Sequence, residues 1–102
     1  MNDTNLTAHM MDHRGAERID INATVEFRCN KDEEFRQATM VDFSESGMLL
    51  LMNEKHAEGS QFEVRVEEKE TIFFTVTCVR ICPDKEANAF GYGCKIIKHQ
   101  II

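Results

Sequence analysis

Two clusters in this 102-residue chain combine side-chain types that do defined chemistry. The first is Arg14-Gly15-Ala16-Glu17-Arg18, two guanidinium groups four positions apart; the second is Asp42-Phe43-Ser44-Glu45-Ser46-Gly47. Arginine offers a planar fork of donors that matches both phosphate oxygens and the O6/N7 edge of guanine. A carboxylate such as Asp42 accepts from the N1 and N2 donors on the opposite edge of that base. Ser44 can add a hydroxyl contact, and glycine at position 47 permits a strained turn and a close backbone approach to a ligand. Together the clusters suit a guanine-bearing phosphate compound. Each alone is ordinary: paired arginines are commonly solvated, and a DxSxxG segment is commonly only a turn.

Other chemistries fare worse. Cys78 and Cys82 lie four apart in an extended stretch, about 13 Å by the usual strand rise, too far to share one zinc ion. His9, His13, His56 and His99 are dispersed in polar surroundings. Ser44 has no histidine at a motif spacing and no paired carboxylates stand on an apolar face, so no catalytic residue is nominated. The cysteines, Cys29, Cys78, Cys82 and Cys94, sit in apolar strand-like stretches and read as reduced core residues.

The elements that must position the two clusters are strands. Residues 1–12 are polar and aperiodic, a flexible arm. From Ile19 to Cys29 apolar and polar residues alternate over eleven positions, a half-buried strand. Asn30 to Glu34 is a charged turn, and Phe35 to Phe43 forms a hairpin partner. After the Asp42–Gly47 turn come Met48 to Met52, then Phe62, Val64 and Val66 in alternation, then Thr71 to Cys82, stopped by Pro83, and finally Phe90 to Lys98. Proline stops a strand because it cannot donate to the ladder. Six short strands without an amphipathic helix predict an all-β barrel or sandwich, and closure would remove vulnerable edges. In the fifth strand, Ile72, Phe74, Val76 and Cys78 fill one face, leaving Phe73, Val79 and Ile81 on the other.

With RxxxR before the first strand, DxSxxG after the second and a closing segment Phe90-Gly91-Tyr92-Gly93-Cys94-Lys95-Ile96, the chain from Arg14 to Lys98 resembles the PilZ family. These are small β-barrel receptors for the bacterial second messenger cyclic di-GMP. The resemblance implies a six-stranded antiparallel β-barrel over residues 13–102 behind a flexible N-terminal arm. It implies that Arg14 and Arg18 bind phosphate and guanine from a mobile segment, with Asp42, Ser44 and Gly47 as the opposing wall. The dinucleotide is then a ligand rather than a cofactor, the chain is not an enzyme, and the output passes through a changed surface to an unidentified downstream protein. An interaction module that binds no nucleotide is the rival, and the intact motifs favour the receptor. His13 stands where many members carry arginine, which leaves open whether one ligand or a stacked pair binds; by its neighbour position His13 either contacts a bound guanine or is an exposed histidine. The family often has a helix after the barrel, whereas only His99 to Ile102 follow Lys98. Phe73, Val79 and Ile81 are then free to meet a partner or a second copy of the chain.

Charge and hydropathy bound the partners. Eighteen acidic and twelve basic residues give a net charge of -6, which argues against DNA, RNA or an anionic membrane as partner. The longest apolar run, Met48 to Met52, is far below the roughly 20 residues a membrane helix needs, and the first residues do not read as a secretory signal. The expected location is cytoplasmic.

Overall fold

The computed structural model describes residues 19–84 and 88–102. They form six strands: β1 (Ile19–Arg28), β2 (Arg36–Ser44), β3 (Gly47–Met52), β4 (Gln61–Glu67), β5 (Thr71–Asp84) and β6 (Ala89–Ile101). The strands close antiparallel into a barrel in the order β1-β2-β3-β6-β5-β4. The alternation of apolar residues dictates its interior. Phe62, Val64 and Val66 from β4 meet Ile72, Phe74 and Val76 from β5, with Val25, Phe27, Phe43, Leu50 and Tyr92 completing the core. Each such side chain contributes about 1.5–3 kcal/mol by leaving water.

In this ring β3 and β4 lie on opposite sides, so the connection between them must cross one mouth of the barrel. His56 sits in that crossing, its ring against Phe62 at 5.0 Å and Tyr92 at 5.8 Å between centroids. The buried Tyr92 hydroxyl donates to the Glu54 carbonyl at 2.8 Å and accepts from the His56 N–H at 2.7 Å, which fastens the crossing to β6. The β2–β3 hairpin lies at the opposite mouth.

Strict alternation fails at bulges, and their positions matter more than the strand ends. On β1, Ile21 and Asn22 together stand across from the single β2 residue between Met40 and Asp42; Asn22 takes a left-handed φ of 53°, which asparagine tolerates. Val41 is an extra residue of β2 against β3, and Val79 an extra residue of β5 against β6. Met40 and Phe43, three apart, therefore both point inward, as do Cys78 and Ile81. The expectation of an outward Ile81 is thus corrected: it packs against the core, while Val79 is 56% exposed on the bulge. Phe73 does lie on the outer face, yet it is covered by the chain itself. Phe35 folds from the β1–β2 turn to within 6.4 Å of Phe73, with the Arg28 and Arg65 guanidinium groups at 4.3 and 4.2 Å from the Phe35 ring.

Two strands outrun their expected ends. β5 continues through Pro83, which pairs with Phe90, because β4 pairs with β5 only as far as Thr77 and proline is tolerated on the edge beyond. β6 continues to Ile101 opposite Ile72, past the last β3 pairing at Lys95, so closure leaves its final residues with a strand on one side only among the described residues. The cysteines divide as well: Cys78 and Cys94 are buried, Cys29 is half-buried, and Cys82 is exposed, because Ile81 takes the inward position beside it. Arg14, Arg18, His13 and the 1–12 arm lie outside the described residues.

Candidate functional site

Asp42, Ser44 and Gly47 occupy one hairpin. Ser44 and Gly47 form its closing pair, and Glu45-Ser46 is a two-residue loop. The chain reverses within that loop, so Gly47 already belongs to β3. Among the described residues positive φ occurs at Asn22, Asn88 and Gly59. Gly47 is therefore not needed for a left-handed turn, contrary to expectation; it is buried and flanked in register by Ser44 on one side and Lys95 on the other. Ser44 is 1% exposed, its Oγ 3.4 Å from the Ser46 Oγ and 3.5 Å from the Gly47 carbonyl. Its hydroxyl thus lies within the turn. The Ser46 carbonyl accepts from the Ile96 N–H at 2.9 Å, which fixes the turn against β6.

Asp42 is the residue the bulge redirects. Met40 points inward, and regular alternation would send Asp42 inward too; the extra Val41 turns the carboxylate to the outer surface instead. It stands across from Asp20 on β1 and from Leu49 on β3. Ile19 stands across from Phe43. Ile19, where the described chain begins, therefore stands one residue pair from Asp42, while Arg14 and Arg18 lie outside the described residues.

The outer row that begins at Asp20 and Asp42 continues across the sheet through Leu49 and Gly93 to Arg80. Gly93 makes this row shallow: a Cβ there would come within 3.1 Å of the Arg80 Cγ and Nε, so the Arg80 side chain lies over the glycine. The second bulge governs Arg80 as the first governs Asp42. Cys78 points inward, the extra Val79 follows, and Arg80 turns outward; the Cys78 thiol donates to the Arg80 carbonyl at 3.4 Å across the bulge. Leu49, Gly93 and Arg80 escape sequence inspection because only bulge positions reveal that they share a row with Asp42. The Gly91-Tyr92-Gly93 pattern is the one visible trace.

A second polar cluster lies at the other mouth. Arg36 donates to both Glu54, at 3.0 Å from Nη2, and Glu33, at 3.0 Å from Nη1. The Arg36 hydrogen bond holds the Glu54 carboxyl below its usual range. His56 bridges Glu54 at 3.1 Å and the Cys29 thiol at 3.9 Å. Burial pushes that thiol up, so at neutral pH it is protonated and the cluster acts as a clamp for the crossing segment. Among the described residues no group of three or more His, Cys, Asp or Glu can hold a metal ion, and no helix is long and apolar enough to cross a membrane.

Comparison with known proteins adds a family and a fold. Residues 12–101 match the PilZ domain. No curated protein matches the chain. Among solved structures, the Bacillus subtilis inhibitor of motility MotI/DgrA is similar with a TM-score of 0.63 at 17% identity over 79% of this chain. The match spans 41% of that protein's length.

Proposed function

We propose that this chain, which belongs to the PilZ domain family, is a cytoplasmic receptor for cyclic di-GMP that passes the signal to another protein. The observation that carries the proposal is the register at the start of β1. Ile19 opposite Phe43, and Asp20 opposite Asp42, bring the attachment point of the RxxxR segment beside the DxSxxG hairpin. Arg14 and Arg18 bind the phosphates and a guanine Hoogsteen edge, Asp42 accepts from guanine N1 and N2, and Ser44 and Gly47 shape the turn that holds Asp42 in place. His13 lies next to the arginines and contacts the base.

Binding costs about 1–2 kcal/mol for each backbone residue it orders, and charge-assisted bonds from the arginines offset it. The surface so altered is the signal, since the barrel interior is filled by side chains of the described residues. Nuclear magnetic resonance titration of the full chain with cyclic di-GMP tests this. Residues of the 14–18 segment and of the 42–47 hairpin shift together in the wild type, and Arg14→Ala or Arg18→Ala weakens binding by about 1.5–3 kcal/mol, roughly tenfold to a hundredfold. Absence of any response in both segments would leave a protein-interaction module without nucleotide as the function.

A further inference from the structure

We infer that Arg80, on β5, is a further ligand-binding residue, reaching a phosphodiester of the bound dinucleotide across a floor made by Leu49 and Gly93. The inference rests on the receptor function proposed above and names a contact outside both sequence motifs. Its basis is the coincidence of two independent bulges. Val41 turns Asp42 outward and Val79 turns Arg80 outward, and the register places both on one row, Asp42 to Leu49 to Gly93 to Arg80. Bulges bend a strand and interrupt its ladder, and they commonly serve to re-aim a side chain beside a functional site. Here two of them present an acceptor and a donor at the two ends of one outer row that curves around the barrel through β3 and β6.

The dimensions suit a cyclic dinucleotide. Three inter-strand steps of about 4.8 Å put the Asp42 and Arg80 backbones about 14 Å apart along the curved outer surface, and the Arg80 side chain, lying over Gly93, shortens that gap. A guanine held at Asp42 therefore extends its sugar and phosphate toward Arg80. The floor between them is low and partly apolar. Leu49 is half-buried, and Gly93 lacks the Cβ that would come within 3.1 Å of the Arg80 side chain, so that side chain lies flat against the sheet there instead of standing off it. Arg80 is exposed and makes no salt bridge among the described residues, in contrast to Arg28, Arg36 and Arg65, each engaged by a glutamate. An arginine kept out of internal pairs retains its donors for an anion. The acidic balance of the whole chain makes such a local cation the more selective for a small dianion over a nucleic acid.

Calorimetric titration of cyclic di-GMP into the full-length wild type and into Arg80→Ala, Arg80→Lys and Lys69→Ala tests the inference. Lys69 is an exposed cation in the β4–β5 turn and controls for loss of net charge alone. Arg80→Ala is expected to weaken binding by about tenfold to a hundredfold, the range for a hydrogen bond to a charged group, and to flatten its salt dependence. Arg80→Lys lies between, because an ammonium keeps the charge and loses the fork. Lys69→Ala binds as the wild type does. The melting temperature of ligand-free Arg80→Ala stays at the wild-type value, since the side chain supports no ion pair among the described residues. Wild-type affinity in Arg80→Ala, or a loss matched by Lys69→Ala or by a fall in ligand-free melting temperature, overturns the role of Arg80 while leaving the receptor function standing. A wild type that does not bind overturns both.

Discussion

Tyr92→Phe isolates the bond pair that fastens the β3–β4 crossing. Tyr92 is fully buried, and its hydroxyl donates to the Glu54 carbonyl at 2.8 Å while accepting from the His56 N–H at 2.7 Å. Phenylalanine keeps the ring, which packs against Phe62 at 5.9 Å and His56 at 5.8 Å, so no large cavity forms and the change removes only the oxygen. Two backbone groups then lose a partner. Each costs about 1–3 kcal/mol if it stays dry, and the partial burial of both bonds admits some water, which brings the sum to about 2 kcal/mol. For a domain of about 100 residues that is a fall in melting temperature of about 8–16 °C and a sizeable share of the total stability. Urea unfolding followed by circular dichroism measures it, with the midpoint lowered and the slope m unchanged. Because the crossing lies at the mouth opposite the DxSxxG hairpin, the cyclic di-GMP binding proposed above is expected to be unchanged in the folded variant. A midpoint shift worth less than about 0.5 kcal/mol would refute the assignment of the crossing's stability to this hydroxyl.

Two further outcomes follow from the charged and thiol groups. The Arg36 hydrogen bond lowers the folded-state pKa of Glu54, so its contribution is present above the ordinary carboxylate pKa of about 4.3 and is lost as pH falls through the lowered value. With the Glu54 side chain 40% exposed the pair is worth at most about 1 kcal/mol; Glu54→Gln lowers the melting temperature at pH 7 and makes its decline toward pH 3 shallower, and an unchanged acid slope would exclude this pair as its source. In thiol labelling, Cys82 reacts first because it is exposed, Cys29 follows, and Cys94, whose thiol burial pushes up to about 12, reacts together with buried Cys78 only on unfolding. Labelling of Cys78 or Cys94 at the rate of Cys82 would contradict the closed barrel.

The strands of the barrel were legible because period-two alternation is a local property. Phe62, Val64 and Val66 announce β4, and the polar runs Asn30 to Glu34 and Glu68 to Glu70 announce the β1–β2 and β4–β5 turns. The covering of Phe73 by Phe35 was not legible. Those rings are far apart in sequence, and only the fold-back of the β1–β2 turn onto β5, with Arg28 and Arg65 closing on the ring, brings them together. Pro83 misled for a related reason: its missing N–H stops a strand only where a ladder bond is required, and the end of β4 pairing at Thr77 removes that requirement.

The residue types for guanine and phosphate recognition, the order of the strands along the chain and the family resemblance carried by RxxxR and DxSxxG belong to the sequence alone, because each depends on side-chain chemistry or on neighbours within a few positions. Which way Asp42 and Arg80 face belongs to the tertiary structure. A bulge is defined by the pairing of two strands, Val41 against β3 and Val79 against β6, and one extra residue reverses the face of everything beyond it. The row from Asp42 to Arg80 therefore exists only once the barrel has closed and set its register.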